Sequence, residues 1–400
     1  MRIVLGVGAG IAAYKACELL RLFTEAGHRV RVVPTQDSLN FVGAATWAAL
    51  SGQPAVTTAF EDVHQVPHVR IGQDADLVIV VPATADLMAR AAAGMSGDLL
   101  TAILLTARCP VIYAPAMHTE MWEHPATQAN VARLRSYGAL VVEPASGRLT
   151  GADTGPGRLP EPAALFATAL RVLDRGPAAT ALDLAGRSVL VSAGGTREDI
   201  DPVRFLGNRS SGRQGYALAA TAASRGARVT LVAANTELPD PAGVRVIRVA
   251  SARDLHDAML AEAAAADAIV MAAAVADFRP ARPSESKIKK TGAAPEPIAL
   301  IENPDVLREL AAIRPRPGQV IVGFAAETGD LLANGRAKLA AKGCDLLVVN
   351  QVGNGLAFGT TDNEAVVLGA DGSETKIPRG PKETLADVVW DLVGSRITPR

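Results

Sequence analysis

The feature that most constrains this chain is a two-beat rhythm kept up over most of its length, in which short β-branched runs are followed by Ala- and Leu-rich stretches. Ile3 to Val7, Ala12 to Ala26 and Arg29 to Pro34 set that rhythm. Such alternation predicts a parallel sheet with helices on its faces. Leu77 to Val81 and Pro110 to Tyr113 continue it, each followed by Pro and small residues where a ligand-facing loop would start. In open α/β sheets, ligands sit outside the carboxyl ends of the strands.

One such sheet cannot account for the whole chain. Single cores stop growing near roughly 250 to 300 residues, and this sequence has 400, of which 49% are hydrophobic. Around Arg175 to Gly186 the text becomes RGPAATALDLAG, rich in Pro, Gly and Ala and lacking a strong period. The expected division is therefore residues 1–175, a linker over 176–186, and residues 187–400. After the linker the rhythm resumes with Ser188 to Ser192, Arg228 to Ala233, Ala268 to Met271, Val320 to Val322 and Leu346 to Val349. No short-period repeat is visible, which argues against a solenoid.

The 40 basic and 41 acidic residues give a formal net charge of -1, with both signs spread along the chain. Neither nucleic acid nor a membrane surface is expected as a partner. Cys17, Cys109 and Cys344 are far apart and form no CxxC pair, so a disulfide framework or a cysteine-rich zinc site is not expected and a reducing, cytoplasmic setting fits. No apolar stretch reaches the roughly 18 residues of a membrane span, and the start of the chain lacks a signal-peptide core.

The opening GVGAGIAAYK places Gly6, Gly8 and Gly10 between a strand and a helix, where backbone N–H groups and the helix dipole can hold a phosphate. The spacing is not GxGxxG, and the second strand ends in Pro34-Thr35 rather than near an acidic ribose ligand. A nicotinamide-dependent two-domain oxidoreductase is thus the rival reading, with those two features against it. The glycines are joined by PHVRIGQDADLVIVVPAT, AAGMSGDLL and APAMHTEMW. Together these resemble the flavoprotein family of cysteine decarboxylases, over about residues 1 to 175.

That resemblance implies bound FMN, its phosphate near Gly8, Gly10, Ile11, Ala12 and Thr35 and its ring near Pro82, Ala83, Thr84 and Met95. His68 occupies the position of the family's essential histidine, and an imidazole suits proton transfer near pH 7. The family signature PxMNxxMW is met by Pro115-Ala116-Met117-His118-Thr119-Glu120-Met121-Trp122, with His118 where asparagine is usual. Its ring nitrogen can still donate to a substrate carboxylate. The segment SGRLTGADTGPGR resembles the substrate-covering flap, but Thr150 and Gly151 fill the region of the family's reactive cysteine. The implied reaction oxidises the substrate's cysteine moiety to a thioaldehyde, an electron sink for loss of carbon dioxide, and then returns the electrons. Relatives of this fold include regulatory subunits, so a noncatalytic flavin-binding regulator is a third reading.

In the second half, GGTREDIDPVRFLGNRSSG reads as a loop of about 18 residues carrying Arg197, Arg204, Asn208 and Arg209 and ending in Ser210-Ser211-Gly212 at a helix start. Loops that long are usually functional or disordered, and this one suits phosphate. AAAVADFRP, SKIKK, IENPDV, VGFAAET and NGRAKLAAKGCD follow. Their order resembles the phosphopantothenate–cysteine ligase family, and the whole chain is similar to bacterial fusions of ligase and decarboxylase. The fold class expected is α/β, with two Rossmann-like domains, an N-terminal flavoprotein and a C-terminal nucleotide-binding ligase.

The ligase resemblance implies that CTP, with Mg2+ or Mn2+, converts the substrate carboxylate to an acyl-cytidylate that the cysteine amine attacks. By family position Lys287 stabilises the triphosphate, and Lys338 and Lys342, four apart on one helix face, reach the same phosphates. Asn208 handles the acyl-cytidylate, and Arg204, Ser210, Ser211, Gly212, Asn303, Pro304 and Asp305 complete the substrate site. Ala273, Ala274 and Asp277 read the cytosine edge, and Phe324 packs against the nucleotide. The family also implies a homo-oligomer, with trimers of the first half, dimers of the second and dodecamers overall.

Overall fold

The computed structural model describes residues 1–56, 66–148, 154–289, 297–327, 330–351 and 362–397. Its contacts divide into two compact units, Met1–Leu182 and Asp183–Arg400.

The first unit runs β1 (Arg2–Val7), α1 (Ala13–Glu25), β2 (Arg29–Pro34), α2 (Ala44–Ser51), α3 (Pro67–Asp74), β3 (Leu77–Ala83), α4 (Ala85–Ala92), α5 (Leu99–Thr106), β4 (Val111–Pro115), α6 (Thr119–Glu123), α7 (Pro125–Ser136), β5 (Leu140–Val141), β6 (Ala145–Arg148), β7 (Thr154–Arg158) and α8 (Pro162–Arg175). Its sheet has the order β2-β1-β3-β4-β5 and is parallel throughout. All seven residues of β3 are buried, as an apolar run covered on both faces requires. Alternate residues divide between two cores: Ile3, Leu5 and Val7 face one, Val4, Val78 and Val80 the other. Order reverses between β1 and β3, which is a topological switch point.

The second unit runs β8 (Ser188–Gly194), β9 (Arg197–Asp199), β10 (Phe205–Gly207), α9 (Arg213–Ser224), β11 (Arg228–Ala234), β12 (Val244–Val249), α10 (Ala252–Ala263), β13 (Ala268–Met271), β14 (Phe278–Pro280), β15 (Leu300–Glu302), α11 (Val306–Ile313), β16 (Val320–Glu327), α12 (Leu331–Lys342), β17 (Leu346–Gln351), β18 (Asp362–Gly369), β19 (Glu374–Pro381) and α13 (Lys382–Gly394). Its main sheet has the order β12-β11-β8-β13-β16-β17-β18-β19. The first six strands are parallel in the doubly wound Rossmann order, and β18 and β19 close the edge antiparallel. The switch point lies between β8 and β13. One buried guanidinium fastens the ends of this unit: Arg225 pairs with Asp183 before β8 and with Asp387 and Asp391 on α13.

The two-domain α/β expectation holds, with one local correction. The stretch expected as a long loop after β8 contains the antiparallel pair β9–β10, whose three-residue strands RED and FLG are too short to give a pattern to read.

Candidate active sites

At the first switch point the chain leaves β1 and approaches the end of β3 closely. The Gly8 N–H donates to the Pro82 carbonyl at 3.1 Å, and a Cβ on Gly8 would lie 2.4 Å from that oxygen. Only glycine fits there. Gly10 is roomier, its nearest neighbours 3.8 and 4.0 Å from an added Cβ. Ala12 caps α1 without a side-chain acceptor; the Ala13 and Lys15 N–H groups donate to the Gly10 and Ala12 carbonyls at 2.9 and 3.0 Å, and the helix dipole still favours an anion at that end. Thr35 donates its N–H to the Val7 carbonyl at 2.9 Å, which sets it beside the glycine turn. Its Oγ1 is buried and has no partner.

Around this cradle, Pro82 and Ala83 are buried in β3 and Thr84 Oγ1 caps α4 by accepting from the Leu87 N–H at 3.2 Å. Ile11 is an exposed apolar side chain between the turn and α1, whereas exposed Met95 follows the carboxyl end of α4, the end opposite Thr84. An orphaned buried hydroxyl, a backbone turn that excludes Cβ and a helix start fit a phosphate group, and the structure does not bring Met95 to that cradle.

His68 is half-buried in the first turn of α3. Its carbonyl accepts from Thr106 Oγ1 of α5 at 2.9 Å, and a Cβ on Gly72 would lie 2.3 Å from that same Oγ1, so α3 is pressed on α5. His118 follows β4 as the N-cap of α6, its imidazole exposed and its carbonyl accepting from the Met121 and Trp122 N–H groups. Trp122 itself is buried core. The β6–β7 hairpin lies on this loop: the Met117 N–H donates to the Gly157 carbonyl at 2.9 Å, and a Cβ on Gly157 would lie 2.2 Å from the Met117 carbonyl oxygen.

Lys15 of α1 and Arg158 at the end of β7 both pair with Glu161, tying the hairpin's exit to the cradle helix. Nothing in the sequence flagged these two cations. Thr150 and Gly151 lie outside the described residues. Burial pushes the Cys17 and Cys109 thiols up, so neither is poised as a thiolate.

The second switch point is built on Gly194-Gly195. A Cβ on Gly194, at φ 84°, would collide with the Ala234 carbonyl. The Ala274 N–H donates to Gly194 at 2.8 Å and the Thr196 N–H to Ala274 at 3.2 Å. Asn235 Nδ2, unflagged by the sequence, bridges the Gly195 and Ala250 carbonyls at 2.9 and 2.8 Å. Asn208 Nδ2 donates to the Val275 carbonyl at 2.8 Å, and Ser210 Oγ accepts from the Gly212 N–H at 3.3 Å. Exposed Ser211 leads to buried Gly212 at the head of α9, which has no side-chain cap. Asn208, Ser210, Ser211, Gly212, Ala273 and Ala274 are thus gathered at one strand-end rim.

The N–H groups of Ala273 and Ala274 are engaged by Ser192 Oγ and the Gly194 carbonyl, and the Ala274 carbonyl already accepts from the Thr196 N–H. Asp277 is exposed. Asn303 holds this turn, its N–H on the Asp277 carbonyl and its Nδ2 on the Ala276 carbonyl, both at 2.8 Å. Half-buried Pro304 leads to Asp305, which caps α11 and pairs with Lys342 at 2.5 Å. Lys338 faces Glu327 at 3.6 Å, and Phe324 packs partly into the core. Each of those two lysines therefore meets a carboxylate before any ligand arrives.

Lys287 is exposed on a stretch without helix or strand. Beneath it, Asp201 accepts from Arg204 Nη1 at 3.1 Å and from the Ile288 N–H at 3.2 Å. Burial alone would raise the Asp201 carboxyl, but hydrogen bonds from the Val203, Ile288 and Arg204 backbone outweigh it and hold it below the usual carboxylate range. Asp201 also escaped the sequence reading, although Asp201-Pro202 marks a turn. Among the described residues, no group of three or more His, Cys, Asp or Glu is placed to hold a metal ion.

The family described as Flavoprotein matches residues 1–173, and the DNA/pantothenate metabolism flavoprotein C-terminal domain matches residues 184–396. The coenzyme A biosynthesis bifunctional protein CoaBC of Mycobacterium tuberculosis is 58% identical, covering 98% of this chain and 96% of that protein. Its counterpart in Mycolicibacterium smegmatis is 58% identical over 98% and 97%, and that in Vibrio vulnificus 41% identical over 96% and 95%.

Proposed function

The chain belongs to the CoaBC family of bifunctional coenzyme A biosynthesis proteins, and on that premise we propose how its two switch points divide the work. Ligation joins cysteine to 4'-phosphopantothenate, and decarboxylation then yields 4'-phosphopantetheine and carbon dioxide. We assign decarboxylation to residues 1–175 and ligation to residues 187–400. Family membership sets aside the nicotinamide oxidoreductase and the noncatalytic regulator.

The observation that carries the first assignment is the buried, unpartnered Thr35 hydroxyl beside the Gly8 turn. In this reading Gly8, Gly10, Ile11, Ala12 and Thr35 hold the FMN phosphate, while Pro82, Ala83 and Thr84 flank the ring. When bound, FMN supplies the two-electron redox chemistry that makes loss of carbon dioxide feasible. His68 moves a proton at the substrate's cysteine moiety, and His118 donates from a ring nitrogen to its carboxylate. The β6–β7 hairpin, lying on the His118 loop, keeps water from the reacting atoms.

At the second switch point CTP is the co-substrate. Its phosphates meet the head of α9 with Ser210 and Ser211, and Arg204, Lys287, Lys338 and Lys342 offset the charge gathered during activation. Mg2+ or Mn2+ arrives with the nucleotide, held mainly by phosphate oxygens. The Asp277 carboxylate accepts from the exocyclic amine of cytosine, which gives a physical reason for the base preference. Asn208 donates to the acyl-cytidylate from the amide now resting on Val275.

We place the enzyme in the cytoplasm as a homo-oligomer. Among the described residues no helix is long and apolar enough to cross a membrane. Exposed Val203, Phe205 and Leu206 around β9–β10, with Phe278, Leu300 and Ile301 on β14–β15, favour a ligase dimer.

Mass spectrometry of the protein incubated with phosphopantothenate, cysteine, CTP and magnesium tests the whole scheme. Phosphopantothenoylcysteine should rise and then fall as phosphopantetheine appears. Its accumulation alone would refute decarboxylation, and no amide product would refute ligation.

A further inference from the structure

Lys287 stands on a segment with no regular structure of its own, so something outside that segment must set its position. Two neighbouring tethers do. The Ser284 N–H donates to the Ile200 carbonyl at 2.9 Å, and the Ile288 N–H donates to Asp201 Oδ2 at 3.2 Å. Arg204 reinforces the second, its Nη1 reaching both Asp201 Oδ2 at 3.1 Å and the Ile288 carbonyl at 3.3 Å.

Asp201 divides its two oxygens between two tasks. Oδ1 accepts from the Val203 and Arg204 N–H groups at 2.8 Å each and builds the local turn. Oδ2 faces outward to Ile288 and to the Arg204 guanidinium. The residue is 2% exposed although the next three residues are exposed. Turn formation needs only the first oxygen. The second is spent on the Lys287 segment.

We infer that Asp201 is a positioning residue for ligation: through Oδ2 it fixes the Lys287 segment and the Arg204 guanidinium together, so that both cations meet one anion. It touches no reactant itself. This inference rests on the assignment of Lys287 to triphosphate stabilisation. Lys287 gains its effect only at the right distance from the transferring group, and a misplacement of about 1 Å can cost about 10²-fold.

The test uses Asp201→Asn in the full chain. The amide keeps one oxygen for Val203 and Arg204, but turns an NH2 donor toward the Ile288 N–H and the Arg204 guanidinium, donor against donor. Ligation kcat at saturating CTP should fall by about 10²-fold, with the KM for cysteine little changed. Combined with Lys287→Gln, it should add far less than it costs alone, only the share that acts through Arg204, since a positioning residue loses its effect on a target that is gone.

Multiplying losses in the double variant would overturn the inference. A near-normal Lys287→Gln beside a slow Asp201→Asn would instead remove the Lys287 assignment, and with it the route through which Asp201 is said to act. If Asp201→Asn lacks a cooperative melt, Ser284→Pro removes the other tether while leaving Asp201 intact. It should show the same loss in kcat, absent in the Lys287→Gln background, and full activity in it would count against the inference.

Discussion

The two units solve one topological problem with opposite chemistry. At β1/β3 the rim is made of backbone, the orphan Thr35 hydroxyl and exposed Ile11, while Lys15 and Arg158 of the same unit are tied to Glu161 at the hairpin's exit. In the second unit, by contrast, Lys338 and Lys342 of α12 each face a carboxylate across a partly exposed ion pair. A site that keeps its flavin through turnover benefits from a fixed, self-contained cradle. A site that admits a polyanion and releases two needs cations whose resting partners can yield. Exposed ion pairs suit that exchange, being worth only about 0 to 1 kcal/mol each.

If the division is right, each site can be silenced alone. His68→Asn should lower carbon dioxide release by about 10³-fold while amide formation continues, as followed by mass spectrometry of both products. Loss of both activities would break the comparison. Lys287→Gln should slow ligation by at least about 10²-fold and leave decarboxylation of supplied phosphopantothenoylcysteine intact. Near-normal turnover at saturating CTP would remove Lys287 from the charged site.

Thr35→Val should weaken FMN binding by about 10-fold, the order expected for a lost hydrogen bond to a charged group, read from flavin fluorescence titration. Unchanged affinity would mean that the orphan hydroxyl does not face the phosphate.

The smallest effect concerns pH. Burial lowers the His256 pKa, but Asp257 and Glu309, at 2.8 and 2.9 Å, outweigh it and raise it above its ordinary 6.5. A raised folded value means that the stabilisation is complete below 6.5 and lost as pH rises through the folded value. His256→Gln should therefore cost about 0.5 kcal/mol in acid and nothing in alkali, by urea denaturation across pH. A difference independent of pH would exclude the ion pairs.

Legibility followed burial. The central strands announced themselves because both faces are covered, so β3 reads as an unbroken apolar run and β8 carries Val189-Leu190-Val191 between two serines. The hairpin β9–β10 did not, since RED and FLG are short and carry no core pattern. Asn208, Ser210 and Gly212 were legible as a group because they are adjacent in sequence, and the fold keeps them so. Asp201 was not, because its meaning comes from Ile288, 87 positions away. Likewise the carboxylates facing Lys338 and Lys342 belong to other elements, and helical spacing says nothing of them.

The Arg225 clamp bears on how the gene for such a chain could be cut and rearranged. With Asp183 at the opening of the second unit and Asp387 and Asp391 near its close on one guanidinium, the start and the finish of that unit share a single button. The second unit expressed by itself keeps all three of these pairs only if it begins at or before Asp183 and retains α13. For the same reason a circularly permuted version, its old ends stitched together and new ones opened in a surface turn, would inherit a junction already brought close by the parent fold.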